Sequence, residues 1–593
     1  MMRTRKGAIA VALGAMVSLA ATACGGGSSG GGGAASASGG AAPASDSASA
    51  SASGSGAAAG SGGTLTVLTL GPQEHLDPQR TYIGADIEFE LRTIYRSLTQ
   101  YTAGDKAEIV PDLATDIGTA SDGGKTWKFT LKDGVKWEDG QDIACADLKY
   151  GASRTFAQDV ITGGPNYIIT YLDVPSNPDG SSQYAGPYTK KGQDLFDKAI
   201  TCDGKTITYH FKTPWNDFPT ALAALPMLAP FRADKDQGDK SDYAVFSTGP
   251  YKLEGTFDKD KGGKFVRNTS WDPATDEIRK ANPDAIQYDL GIQTETSYQR
   301  LIADSGNDKF AVAGVQAAAS TLPLIAGNAK AKERSVNVAA PYVDYIQPNV
   351  KSKVFSNPKA REAFAVATNR DAYVTAYGGT QAMVPAYAMC NKALKCFKDF
   401  NPFGAPTSGD PTGAKKILTD AGIATPVNIT VVYRSRPTSD KALSAMKATW
   451  DQAGFNVTLE PLTTKYYATI QSPAYATKDA FWAGWAQDWP SGSTVLPPLF
   501  DGRVNISAGG SGQDYGYFND DAVNKKIDET YAIADADARE KAWGDIDEMI
   551  SKAGAVIPLV NQKFTFMYGS GVKNYETNPQ LGGYVDLANI AVQ

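Results

Sequence analysis

Between Gly25 and Gly63 the chain uses only Gly, Ser and Ala, broken by Pro43 and Asp46. Such a tract cannot bury enough apolar surface to offset the entropy of ordering it, so it is expected to stay disordered. Whatever folds is therefore confined to Thr64–Gln593. Those 530 residues are too many for one hydrophobic core and imply two to four lobes. As a flexible coil the tract would span about 35 Å root-mean-square, which reads as a tether.

The residues ahead of the tract say what the tether is fixed to. A basic start (Arg3, Arg5, Lys6) leads into an apolar stretch from Ala8 to Ala20, closed by Ala21-Thr22-Ala23 and Cys24. A charged, then apolar, then small-residue sequence is the pattern of a secretory leader. A cysteine directly after the small residues resembles the lipobox of bacterial lipoproteins. That resemblance implies removal of residues 1–23 and a lipid on Cys24, the new N-terminus. Ala21 departs from the pattern, which usually has Leu there. An ordinary leader cut near Ala23, or a short membrane anchor, is the alternative, although the apolar stretch is short of the roughly 20 residues of a span.

Removing 1–23 leaves 54 basic against 64 acidic residues, a net charge of about −10. A mildly acidic body without basic clusters argues against nucleic acid as partner. Four further cysteines in an exported chain favour disulfides. Cys390 and Cys396 enclose a five-residue loop and are paired on that ground, which leaves Cys145 for Cys202. With only two histidines and no metal-ligand spacing, neither a metal nor a cofactor is expected.

Strands and helices are both legible. Thr64–Leu70 reads as an opening strand, and Trp127, Phe129 and Leu131 alternate with polar residues, as do Ile207, Tyr209 and Phe211. Asp410-Pro411 opens a helix whose apolar stripe is Ala414, Ile417, Leu418 and Ala421, ended by Gly422. Asn357-Pro358 opens another, with Ala360, Ala363, Phe364 and Ala367 inward. The fold class is α+β, mixed and multi-lobed, with no internal repeat.

Seven motifs, in order, resemble those of one family. They are Leu76-Asp77-Pro78, Val110-Pro111-Asp112-Leu113-Ala114, the hairpin Asp122–Gly140, Ser247-Thr248-Gly249-Pro250-Tyr251 with Arg267-Asn268, the helix ending Ala367-Thr368-Asn369-Arg370, Asp410–Gly422, and Gly484-Trp485-Ala486-Gln487-Asp488-Trp489-Pro490. The body resembles the extracellular solute-binding proteins of family 5, the large receptors of peptide and nickel ABC importers. The resemblance implies a periplasmic-binding-protein-like clamshell of two lobes with an extra third domain, closing by hinge motion about three crossing segments. It divides the chain into a leader (1–23), a lipid-anchored tether (24–63), the first segment of lobe 1 (64–105), its extra domain (106–225), its second segment (226–330), lobe 2 (331–555) and a final lobe 1 segment (556–593). Cys145 stands where the family often has Ala, which suggests a disulfide particular to a subgroup.

By the same resemblance Asp488 pairs with the α-amino group of an oligopeptide. Backbone groups of Gly484 and Ala486 add the ligand as a strand, Trp485 walls a side-chain pocket, and Trp489 belongs to the site. Strand addition satisfies a peptide backbone whatever its side chains. Against this stands core packing of three tryptophans within eight residues. Tyr345 and Asn349 are read as lobe core and Arg434 and Arg436 as a solvated loop, although the arginines could serve a ligand carboxylate. The partners implied are an oligopeptide, the permease subunits with their ATPases, and the membrane through Cys24, with the chain a monomer.

An exported hydrolase is the other class. Neither a G-x-S-x-G elbow nor H-E-x-x-H occurs, and Gly124-Lys125-Thr126 lacks the first P-loop glycine, where Thr119 stands. Two carboxylates suffice for a glycosidase, so counting acids excludes nothing. Within binding proteins, a sugar or a metal chelate is the alternative ligand.

Overall fold

The computed structural model describes residues 62–104, 108–178, 180–507 and 509–593. The leader, Cys24 and nearly all of the Gly/Ser/Ala tract lie outside them. Within the described residues three main sheets organise the body. In the first, Thr64–Leu68 lies between Ala311–Ala313 and Ala285–Asp289, parallel to both, and Gly262–Arg267 and Tyr251–Asp258 continue it antiparallel. The second is an antiparallel four-strand sheet in the order Thr119–Ser121, Thr126–Thr130, Thr206–His210, Ile200–Asp203. The third has six strands: Met383–Pro385, Ile557–Met567, Ser335–Pro348, Ala480–Ala486, Val427–Arg434 and Phe455–Leu462.

Local rules account for the elements. Trp127, Phe129, Ile207 and Tyr209 point one way into a core built mostly from residues between Leu98 and Leu228 and joined by Ile87, Leu91, Trp489 and Leu581. Their polar neighbours point the other way, with His210 Nδ1 3.3 Å from Thr126 Oγ1. Asp410 accepts the Gly413 amide at 2.8 Å and caps the helix Pro411–Asp420, which buries Ala414 and Leu418. Asn357 caps Pro358–Val366 in the same way, accepting from the Lys359 amide at 2.9 Å. Cys145 is bonded to Cys202 and Cys390 to Cys396.

The family motifs are mostly structural joints. Arg154 grips Asp77 with both Nη atoms, at 2.7 and 2.5 Å, and both side chains are fully buried. Asp112, fully buried, receives Arg96 Nε at 2.7 Å and both Nη atoms of Arg279 at 3.2 and 3.0 Å. Arg279 also meets Asp276 at 2.9 Å and the Leu91 carbonyl, at the end of the helix Gly84–Thr93. Burial alone would raise the Asp276 carboxyl, but Arg279 and Arg96 outweigh it and hold it well below the ordinary range. Gly249 packs where a Cβ would come within 2.7 Å of the Thr93 carbonyl oxygen, and its amide bonds the Ile94 carbonyl at 2.8 Å.

Among the described residues two segments, not three, cross between the lobes. The chain leaves the first lobe after the short helix Ala329–Glu333 and enters the third sheet through Ser335–Pro348; it returns through Ile557–Met567. The two strands pair from Ser335↔Met567 to Ala339↔Lys563, then break register, with three residues between Ala339 and Val343 facing the single residue between Lys563 and Asn561. The final segment expected in the first lobe begins with this strand, but Ile557–Met567 pairs along its length within the third sheet. Its end, Met567, packs with Leu68, Ala311 and Ala313 of the first lobe, and beyond it Val572, Val585, Ile590 and Val592 join that lobe's core.

Candidate ligand-binding site

The strand Ala480–Ala486 has Ser335–Pro348 on one side, with Gly484 opposite Asp344 and Ala486 opposite Tyr342. On its other side Val427–Arg434 pairs only at Val431↔Ala480 and Val432↔Phe481. Beyond that point the two strands part, and the fork between them opens into a cavity of about 590 Å³. Gly484, Trp485, Ala486 and Asp488 line one arm of the fork and Arg434, the last residue of its strand, the other. The Gly484 amide reaches into the fork toward the Tyr467 hydroxyl at 3.4 Å. Side chains of the first lobe and extra domain, Tyr82, Ile87 and Leu225 among them, close the opposite wall.

Asp488 is the only acid and Arg434 the only base among the described residues of that wall. The carboxylate accepts the Tyr82 hydroxyl at 2.7 Å and the Tyr167 hydroxyl on its other oxygen, one donor from the first lobe and one from the extra domain. Burial raises its pKa, and the two hydroxyls work against that rise. Among the described residues no lysine or arginine pairs with it, and the Arg434 guanidinium has neither ion pair nor hydrogen bond. The wall thus carries two opposite charges, neither with a counter-ion among the described residues, amid tyrosines and glutamines.

Trp485 is half-buried, its indole N–H donating to the Thr494 carbonyl at 2.8 Å. Trp489 does not reach the cavity. It is 1% exposed and packs in the extra domain's core, edge-on to Tyr167 at 4.6 Å and 6.0 Å from Trp215. The strand ends at Ala486, so its alternation says nothing about residue 489. Tyr345 is fully buried in the lobe core, and Asn349 ties down the carbonyls of Ala476 and Lys478 at 2.8 Å each. Arg436 stays at the exposed start of the helix Pro437–Gln452. Arg434, read as loop, lies on the cavity wall. Tyr467, Tyr515 and Tyr584 also line it and have no signal in the sequence beyond the abundance of tyrosine.

Beneath the site, buried carboxylates hold the backbone. Asp344 accepts from Tyr373 and Gln562, each at 2.8 Å, under Gly484, where a Cβ would stand 3.1 Å from Asp344 Oδ1. Glu540 accepts from Ser491 and the Gly492 amide, and Asp547 from the Met389 and Cys390 amides. Burial pushes Asp344 up to about 6, and Glu540, Asp547 and Asp86 up to about 7. Folded-state values above the unfolded ones mean that the folded body binds more protons, so these contributions to stability are lost as pH rises through 6 to 7. The thermal midpoint is expected to be higher at pH 5.5 than at pH 8, each proton contributing up to about 1.4 kcal/mol per pH unit. A calorimetric series showing a flat or rising midpoint over that interval would refute it.

Residues 108–506 match the family model described as bacterial extracellular solute-binding proteins, family 5 Middle. The chain belongs to this family. Glutathione-binding protein GsiB of Salmonella typhi is 25% identical over 512 residues, covering 82% of this chain and 87% of that protein. The Escherichia coli protein of the same name is 24% identical over 496 residues, with 81% and 86% covered. Among solved structures, clavulanic acid biosynthesis oligopeptide binding protein 2 superposes with a TM-score of 0.81 at 26% identity, covering 90% of this chain and 96% of that one. The unliganded open form of MppA, a periplasmic murein tripeptide binding protein, has the same fold, with a TM-score of 0.70 at 18% identity and 90% and 99% covered. The mixed α/β clamshell is therefore that of a family 5 solute-binding protein, and its relatives are binding proteins rather than enzymes. Among the described residues no helix is long and apolar enough to cross a membrane.

Proposed function

We propose that this receptor captures short peptides with free termini and delivers them to an ABC permease, itself doing no covalent chemistry. The observation that carries the reading is the pair of opposite charges without counter-ions, Asp488 and Arg434, on the wall of one cavity beside an open strand edge. Asp488 takes the ammonium, Gly484 and Ala486 extend the sheet to the peptide backbone, Trp485 walls a side chain, and Arg434 takes a carboxylate. A cavity of about 590 Å³ falls in the range of roughly 300–1,000 Å³ for small ligands, which supports a few residues rather than a long chain. GsiB relatives bind glutathione by name, and a clavulanic acid biosynthesis relative binds oligopeptides by name. Glutathione has two carboxylates for one guanidinium here, so a simple short peptide is the better fit. Lipid on Cys24 would keep the monomeric body at the outer face of the membrane, with residues 24–63 as tether.

Native mass spectrometry of the gently purified body tests this. A ladder of bound masses that fragment as short peptides is the expected result; a single non-peptide mass overturns it. Arg434→Met, which keeps the bulk and removes the charge, is expected to weaken a free-acid peptide by about 30-fold or more. The C-terminally amidated analogue should bind wild type and variant alike in calorimetry. Equal loss for both peptides would place Arg434 in packing instead.

A further inference from the structure

The cavity wall carries an amide whose orientation is set from outside the cavity. Gln487 stands between Ala486 and Asp488 and lines the cavity with them. Its side-chain oxygen accepts from Asn391 Nδ2 at 2.9 Å, and among the described residues its Nε2 bonds nothing. Asn391 is 2% exposed and lies in the loop closed by the buried pair Cys390 and Cys396. Asp547 holds that loop from below by accepting the Met389 and Cys390 amides at 3.1 and 2.8 Å.

An amide side chain can sit either way round, and its neighbours decide which. Asn391 has neighbours that allow no choice. Its Oδ1 faces the Ala393 amide at 2.9 Å, which can only donate. Its Nδ2 faces the Pro341 carbonyl at 3.0 Å, which can only accept. Turning Asn391 over would set donor against donor at one contact and acceptor against acceptor at the other. Its two Nδ2 protons go to Pro341 and Gln487, so the Gln487 atom beside it must be the oxygen. The NH2 of Gln487 is thereby left for the cavity. Along the wall a fixed donor thus follows Ala486 and a carboxylate follows the donor, the complement of a carbonyl oxygen and an ammonium.

We propose that Gln487 is a specificity-determining residue that donates to a carbonyl oxygen of the solute, and that Asn391 is the positioning residue that fixes its polarity. The carbonyl rests on the peptide reading above; the polarity does not.

Two measurements test the two halves. The first uses solute-free protein labelled with ε-15N-glutamine, the Gln487 signal being identified by its loss in Gln487→Met. In wild type the Gln487 amide protons should exchange freely with water. Asn391→Asp puts an acceptor where the donor stood, so the Gln487 amide should turn over and its proton exchange should slow by roughly tenfold. Equal exchange in the two proteins overturns the positioning role. The second is calorimetry with tri-alanine and with its analogue carrying sulfur in place of both peptide oxygens, a weaker acceptor of similar shape and equal charge. Wild type should prefer the oxygen form, and Gln487→Met should reduce that preference roughly fivefold. Asn391→Ala should reduce it too, yet change nothing further once Gln487 is already Met. A preference untouched by Gln487→Met overturns the donor role. An Asn391→Ala effect that persists in the Gln487→Met background places Asn391 in general packing and overturns the positioning role. Should Asn391→Asp fail to fold, this cycle carries the test. A wild type that binds neither peptide refutes the peptide reading and with it the carbonyl, and the exchange rates then decide the polarity.

Discussion

Replacing Asp488 by asparagine or alanine is expected to abolish useful affinity for peptides with a free amino terminus. A half-buried carboxylate already oriented by the Tyr82 and Tyr167 hydroxyls is worth more to an ammonium than one in open solvent. Loss of one partner of such a pair costs about 2–5 kcal/mol, or about 30-fold to several thousand-fold in Kd. The fold should tolerate it. The two tyrosine hydrogen bonds are worth about 1 kcal/mol each, and their loss is offset by removing a charge that burial disfavours. Calorimetric titration should show the affinity gone while the ligand-free thermal midpoint stays near wild type. An N-acetylated peptide, which has no ammonium, should bind weakly to wild type and be indifferent to the substitution. A variant that binds free peptides normally, or that melts far below wild type, would remove Asp488 from the role given to it.

The largest effect on stability is expected at Asp112. Its carboxylate lies between two buried guanidiniums, Arg96 and Arg279, which are also tied to Thr275, to Asp276 and to the Leu91 carbonyl. Two arginines are balanced by two aspartates. Asp112→Ala leaves two buried cations facing Asp276 alone, and breaking a buried pair in this way costs about 3–5 kcal/mol. Asp112→Asn should be nearly as damaging, because charge rather than shape is lost. The joined elements are the end of Gly84–Thr93, the strand Ile109–Pro111 and the segment after Pro273–Thr275. The first lobe and extra domain should therefore loosen together, which thermal scans and hydrogen exchange would detect. Midpoints within a degree or so of wild type would mean that the network is ornamental.

These two residues mark the limits of what the sequence discloses. Asp112 lies in a short motif, and its neighbours Leu113 and Ala114 are buried with it, so a local pattern carries a local joint. The helix caps Asn357 and Asp410 are equally local. Gly484–Pro490 is legible as a family-like motif with Asp488 as its carboxylate, but the strand Ala480–Ala486 that leads into it is seen only in the structure. The cavity is not, because its tyrosines at 82, 342, 467, 515 and 584 come from segments far apart in the chain. Trp489 looks no different from Trp485 in the sequence. Only the end of the strand between them, and the aromatic core waiting in another domain, send the two indoles in different directions. Arg434 is legible as a charge and not as a wall, since the parting of two parallel strands leaves no mark in either of them.

The register break in the crossing ribbon has a mechanical consequence. Strands bonded to each other bend least where the ladder is intact and most where it stops, between Ala339 and Val343. Pro341 and Tyr342 of that stretch also line the cavity. The break in the ladder and the wall of the cavity are thus one and the same stretch of chain.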